Sequence, residues 1–202
     1  DGMRRVRELV QSSALHDVYA AQLGFHNAYG PDKAWVYDPR LLGGGALADL
    51  GAHLVDLALW TLDFPNILQV RSRLFAEGRP VSRKQRRAED YVVADLTADT
   101  GAVIRLSCSW RLHVGQDCSF DAAFYGTRGG ARFYNLGGSF YDFGAELLSG
   151  TSRRTLSAPP DNWQGRAVIR WMQQLSRDDR FDAGALRLLD VARVIDRIYD
   201  AD

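Results

Sequence analysis

The stretch 102–113, AVIRLSCSWRLH, constrains the fold of this chain more than any other. Ala102, Ile104, Leu106, Cys108 and Trp110 alternate with Val103, Arg105, Ser107, Ser109 and Arg111. Successive side chains of a strand point to opposite faces, so one face here is apolar and the other mixed. Cys118, Phe120, Ala122 and Phe124 repeat the apolar half of that pattern a few residues later. Asp99-Thr100-Gly101 and Gly126-Thr127-Arg128-Gly129-Gly130 supply turns beside these runs. Consecutive hairpins make an antiparallel sheet with one covered face. Further strands are expected at 18–25, 67–76, 91–98 and 131–136.

Helices must supply the cover. Met3, Val6, Leu9 and Val10 recur at helical spacing, which predicts a helix over 3–12. Residues 46–62 read as a second helix, stopped by Asp63, Phe64 and Pro65. Asn162 is placed to cap a third, running to about Arg177, and Asp182 a fourth, running to about Tyr199. The expected architecture is α+β, a largely antiparallel open sheet with helices packed on one face. With 202 residues, 46% of them hydrophobic and 25% charged, the chain suits one large domain.

Charge and cysteine use narrow the classes of function. Lys+Arg and Asp+Glu balance at 25 each, so no global field draws the chain to nucleic acid or to an anionic membrane. The run from Val81 to Asp90, VSRKQRRAED, reads as a solvated loop between strands, with a basic contact surface as the alternative. Cys108 and Cys118 are not closely spaced and read as small buried side chains in a reducing compartment. No apolar run approaches the 18 or so residues of a membrane span, and no signal peptide opens the sequence. A cytoplasmic location is therefore expected. Asp1-Gly2-Met3 leads straight into helical sequence, as a piece of something longer would.

The segment 43–56, GGGALADLGAHLVD, carries the sharpest chemical signal. Asp49 and His53 stand four apart on an expected helix and so share a face, with Asp56 three further on. A carboxylate beside an imidazole selects its tautomer and raises its basicity, which suits a group that holds and releases a proton. The glycines upstream would let a ligand, or another backbone, approach closely. A metal site built from Asp49, His53 and Asp56 has ligand types that zinc accepts, but no further His or Cys cluster supports it. Gly43, Gly45 and Ala48 formally satisfy G-x-G-x-x-A. That pattern binds a dinucleotide only between a strand and a helix, and Pro39 and the loop before the glycines offer no such strand.

Residues 35–65, WVYDPRLLGGGALADLGAHLVDLALWTLDFP, resemble the glucose-fructose oxidoreductase and inositol dehydrogenase (Gfo/Idh/MocA) family. Members carry a W-x-x-D loop, a glycine cluster, D-x-x-x-H-x-x-D on a helix, then an apolar end and a proline. Residues 3–18 are similar to the family's linking helix and the strand after it, Gly126 to Gly130 to its G-T-x-G turn, and Leu189 to Tyr199 to its closing helix. All 202 residues are accounted for as the substrate-binding, C-terminal part of such an enzyme.

The resemblance implies an NAD(P)-dependent oxidoreductase acting on a sugar, a sugar derivative or a cyclitol. His53 would exchange the proton of the substrate hydroxyl, and Asp49 would orient His53 or touch the sugar. Asn27, Trp35, Tyr37, Asp38 and Asp56 would line a polyol pocket, with Arg111 a further candidate. The N-terminal Rossmann domain and the Glu-Lys-Pro tripeptide of members are lacking, and Lys33 is no substitute for that lysine. Ser13 and His16 stand where glycines are common, and Val36 where many members have Arg. NAD or NADP is expected for the full-length enzyme and none on this chain alone, which would be inactive by itself. A homo-oligomer formed through the open sheet face is expected. The alternative is a standalone, non-catalytic module that binds carbohydrate or pairs with a separate cofactor-binding chain.

Overall fold

The computed structural model describes residues 1–82 and 87–201. Part of the charged run, Arg83, Lys84, Gln85 and Arg86, lies outside the described residues. The elements in chain order are α1 (Gly2–Gln11), β1 (Val18–Asn27), a 3-10 turn (Ala34–Tyr37), α2 (Pro39–Leu42), a π-helical turn (Leu47–Gly51) running into α3 (Ala52–Thr61), and β2 (Ile67–Ala76). There follow β3 (Arg79–Val81), β4 (Tyr91–Ala98), β5 (Val103–Ser109), β6 (Cys118–Gly126), β7 (Gly129–Asn135), β8 (Phe143–Ser149) and β9 (Ser152–Ser157). Two helices close the chain, α4 (Arg166–Leu175) and α5 (Arg187–Asp200), the latter entered through a 3-10 turn at Ala183–Leu186.

The strands form one nine-stranded sheet in the order β3-β2-β4-β5-β1-β6-β7-β8-β9. Every pairing is antiparallel except β1 with β5, where Leu23 lies opposite Leu106. The reason lies in the link between β5 and β6. Residues 110–117 are too long for a tight turn, and the link straddles β1, which enters from the other end of the chain. The α+β, largely antiparallel architecture thus holds, with one parallel seam at its centre.

Alternation along the strands fixes the core. Ile104, Leu106 and Cys108 of β5, Val92, Ala94 and Leu96 of β4, and Ala122 and Phe124 of β6 are buried under the helices. From the helix side come Val6 of α1, Leu54, Val55, Ala58 and Leu59 of α3, and Val194 and Ile198 of α5. The segment Pro39–Thr61 is apolar enough and long enough to meet the composition of a membrane span. Half of that window is buried in this core, which accounts for its apolarity.

Two backbone details bear on the resemblance. Ser13 and His16 adopt φ of 59° and 60°, the left-handed region that a glycine would enter freely. The positions therefore demand that conformation even though the sequence supplies side chains. At Gly126 an added Cβ would lie 2.1 Å from the Leu15 carbonyl oxygen, so the β6–β7 turn is pressed against the strand entry.

Some expectations change. β3, β8 and β9 are additional strands, and β9 is a mostly exposed polar edge without a readable alternation. α4 begins at Arg166 behind Gly165 rather than at a cap by Asn162, whose carbonyl accepts from the Arg166 guanidinium at 3.1 Å. Asp182 does cap, its Oδ1 accepting from the Gly184 N–H at 2.8 Å. The charged run is not all solvated loop: Val81 is in β3, and Glu89 is 2% exposed.

Candidate active site

The helix that carries Asp49, His53 and Asp56 begins with a π turn, in which the Ala52 N–H bonds the Leu47 carbonyl. Such turns insert a residue into the helical ladder and recur at functional sites. Leu47, Leu50, Leu54 and Val55 of this segment face the core. His53 and Asp56 face outward and are exposed. Asp49 sits between, and its Oδ2 accepts from the Trp110 indole N–H at 2.9 Å. That carboxylate is held by β5's end rather than by His53. Trp110 reads in the sequence only as the last apolar residue of an alternating strand, and no signal there gives its indole this role.

His53 stacks its ring at a tilt of 53° on Phe25 of β1, with centroids 6.4 Å apart. The charged group electrostatically linked to it is Asp56. Crowding around the Asp56 carboxyl raises its pKa, although the residue is exposed, and the His53 charge opposes that rise. Among the described residues, no group of three His, Cys, Asp or Glu is arranged to hold a metal ion.

Asn27 closes β1 two residues past Phe25, on the same face of the strand. Its Oδ1 is buried without a hydrogen-bond partner. A buried acceptor in that condition is costly unless a ligand or water donates to it. Phe25 also meets Phe120 edge to face at 5.4 Å, which continues an aromatic wall from His53 across the sheet.

The loop residues fall into two groups. Trp35 is 50% exposed on the 3-10 turn, with Val36 buried beneath it. Tyr37 donates its hydroxyl to the Pro31 carbonyl at 2.8 Å and meets Trp110 edge to face at 5.5 Å. The Arg111 guanidinium lies 4.9 Å over the Tyr37 ring. Arg111 departs from the alternation read in the sequence: β5 ends at Ser109, and Arg111 takes φ 60°, which turns it toward the loop and away from the open sheet face. Tyr37, Trp110 and Arg111, with Glu77, Arg87 and Asp90, wall a cavity of about 160 Å³.

Asp38 is the most committed of the group. Its Oδ1 accepts from the Arg40 N–H at 2.9 Å, capping α2, and its Oδ2 accepts from the Arg40 guanidinium at 2.6 Å. The Arg40 side chain, then its backbone N–H, pull the Asp38 carboxyl down to about 2. A folded-state pKa below the ordinary 3.8 means that the cap is intact above that value and is lost as pH falls through about 2. Carboxyl carbon shifts followed against pH should therefore place the Asp38 transition near 2; a transition at the ordinary position would contradict this geometry.

The glycine cluster admits protein rather than ligand. A Cβ on Gly44 would lie 1.8 Å from the Tyr199 hydroxyl, and one on Gly45 would lie 2.1 Å from the Glu89 carbonyl oxygen. The cluster follows helix α2, not a strand, and the space beside it is filled by Glu89 and Tyr199. These residues do not fit a dinucleotide. Glu89, which sequence reading left within a solvated run, is the group they serve.

Comparison with known proteins follows the same lines. The family model described as "GFO/IDH/MocA C-terminal domain" matches residues 3–132. The D-glucoside 3-dehydrogenase of Escherichia coli (strain K12) is 25% identical over 144 residues, which cover 65% of this chain and 40% of that protein. An aldose-aldose oxidoreductase from Caulobacter crescentus, solved with glycerol, superposes with a TM-score of 0.77 at 20% identity, covering 98% of this chain and 57% of that one. A 3-ketoreductase from Actinomadura kijaniata, solved with NADP and TDP-benzene, gives 0.75 at 15% identity, covering 98% and 58%. The chain thus spans less than two thirds of the length of these relatives.

Proposed function

We propose, for a chain that belongs to the GFO/IDH/MocA family as its C-terminal domain, that it is the substrate side of an NAD(P)-dependent oxidoreductase acting on a sugar, a sugar derivative or a cyclitol. The observation that carries this reading is His53: an exposed imidazole between two carboxylates on a helix whose other face is locked in the core. Oxidation of an alcohol removes the hydroxyl proton and a hydride from carbon, and NAD or NADP supplies the hydride acceptor. This chain's part is to hold the hydroxyl and take its proton. His53 receives the proton on a ring nitrogen, and the Asp56 charge stabilises the imidazolium that forms. Asp49, fixed through Oδ2 by Trp110, has Oδ1 left to accept from a second hydroxyl. Asn27 Oδ1 accepts from a third group of the polyol, and Trp35 offers a face to its C–H surface.

Glu89 and Tyr199 occupy the space beside the glycines, which supports a cofactor held by residues other than this cluster. Two features support a further domain, joined or separate, that completes the site. The cavity of about 160 Å³ is walled by Tyr37, Trp110 and Arg111 and not by Asp49, His53 or Asp56, so it does not enclose the candidate pair. α4 also has no buried residue, while Val168, Trp171, Met172 and Leu175 line one exposed stripe at helical spacing. An isolated helix of that length is marginal in water. Its amides should exchange rapidly in the 202-residue chain and become protected in the complete assembly; equal exchange in both would remove this support.

The open sheet face is the surface through which we place a homo-oligomer. Arg105 pairs with Asp95 at 2.7 Å there, Arg132 pairs with Asp121, and His26 bonds Ser109 at 2.8 Å and Ser107 at 3.1 Å. Such a self-satisfied polar surface suits a symmetric contact. Sedimentation should show an oligomer that an Arg105→Glu, Asp95→Arg pair of single variants weakens; a monomer at all concentrations would overturn it. Buried free thiols at Cys108 and Cys118, the latter pushed up to about 11 by burial, support a reducing, cytoplasmic setting.

The direct test is turnover. The complete protein from its own cells should reduce NAD⁺ or NADP⁺ with at least one of a panel of sugars and cyclitols. Saturable sugar binding with no reduction of either nucleotide would instead favour the non-catalytic carbohydrate-binding or partner-pairing module.

A further inference from the structure

We propose that Glu89 is the positioning residue of the Asp49–His53 helix, acting as an N-terminal cap supplied from another part of the chain. The first N–H groups of a helix have no partner within it and need acceptors from elsewhere. Here the acceptors come from one residue. Glu89 Oε1 accepts from the Gly45 N–H at 2.9 Å and from the Leu47 N–H at 3.0 Å, while the Glu89 carbonyl accepts from the Ala46 N–H at 2.8 Å. Three successive N–H groups, those that open the π turn carrying Asp49, therefore close on Glu89.

The cap is itself fixed. The Tyr199 hydroxyl of α5 donates to the same Oε1 at 2.9 Å, and the Cys108 thiol lies against the Ala46 carbonyl at 3.5 Å. Gly44 and Gly45 are the residues small enough to let Tyr199 and Glu89 approach. Burial raises the Glu89 pKa, and its hydrogen bonds oppose that rise. Trp110 then receives Asp49 on the far side of the turn. Glu89 touches no substrate in this account: it sets where Asp49 and His53 stand. The inference rests on the reading of that pair as the chemical site, but its test does not require turnover.

The indole N–H of Trp110, bonded to Asp49, reports the position of the turn. It is observed by ¹⁵N NMR of the 202-residue chain and assigned with Trp110→Phe. Glu89→Gln keeps the length of the side chain and an acceptor oxygen, so the Trp110 signal should stay in place. Glu89→Asp keeps the charge and is one methylene short of Gly45 and Leu47, so the signal should move and its solvent exchange should quicken by about tenfold or more. The reverse order would show that charge matters and reach does not, overturning the cap. A folded Glu89→Asp chain with an unmoved Trp110 signal would overturn it as well. The unaltered chain supplies a check that no folding failure can obscure: Gly45 and Leu47 amides should be as protected as those of α3, and exchange at the rate of an unfolded chain would sink the proposal. A responsive Trp110 in a protein that turns over no polyol would leave the cap standing and remove the oxidoreductase reading. Turnover with an unresponsive Trp110 would do the opposite.

Discussion

Replacing His53 by alanine in the complete protein is expected to lower kcat by about 10²–10⁴-fold. The size follows from the loss of a positioned proton acceptor at the one imidazole between Asp49 and Asp56. Sugar affinity should change little, because Asn27, Asp49 and Trp35 remain. Stability should change little too. His53 is exposed, and substitutions at such positions usually stay within about 0.5 kcal/mol. Measurement of kcat, KM and melting temperature together separates the cases. An unchanged kcat would remove His53 from the chemistry, and a fall in kcat matched by a collapse in melting temperature would make it structural.

The second large effect is expected at Gly45. An added methyl would lie 2.1 Å from the Glu89 carbonyl oxygen and 2.6 Å from its nitrogen, both backbone atoms that cannot swing aside. Overpacking of this kind costs roughly 1–3 kcal/mol, and displacing Glu89 leaves buried N–H groups unpaired at about 1–3 kcal/mol more. Gly45→Ala should therefore destabilise the chain by about 2–6 kcal/mol in denaturant unfolding. Gly43 makes the control: its added Cβ meets nothing within 4 Å, and its cost comes from φ 88° alone. Equal, small losses at both positions would mean that the cluster is not packed against Glu89.

What the sequence shows and what it hides divide along a physical line. The alternation in 103–109 and 118–126 is a local property, so strands β5 and β6 and their buried faces can be read directly. The apolar spacing of 46–62 likewise reveals the helix and places Asp49, His53 and Asp56 on it. Partners fixed by tertiary contact leave no such trace. Trp110 shows only as an apolar strand residue, yet it binds Asp49. Glu89 follows a run of basic residues that argues for solvent, yet it is buried and caps a helix 42 positions away. Gly43 to Gly45 look like a ligand cradle because glycine reports close approach without saying by what. Arg111 continues an alternation that the chain itself abandons at Ser109. The parallel seam between β1 and β5 is hidden for the same reason: it joins strands from distant parts of the sequence.

The functional predictions depend on the proposal that the Asp49–His53 wall is half of a site that a nucleotide-binding domain completes. Native mass spectrometry of the species that carries this sequence in its own cells tests that claim most directly. The predicted result is a polypeptide larger than 22.6 kDa by a domain of about 100–150 residues, or a stable complex with a separate nucleotide-binding chain. A species of 22.6 kDa, alone or only with copies of itself, would contradict it.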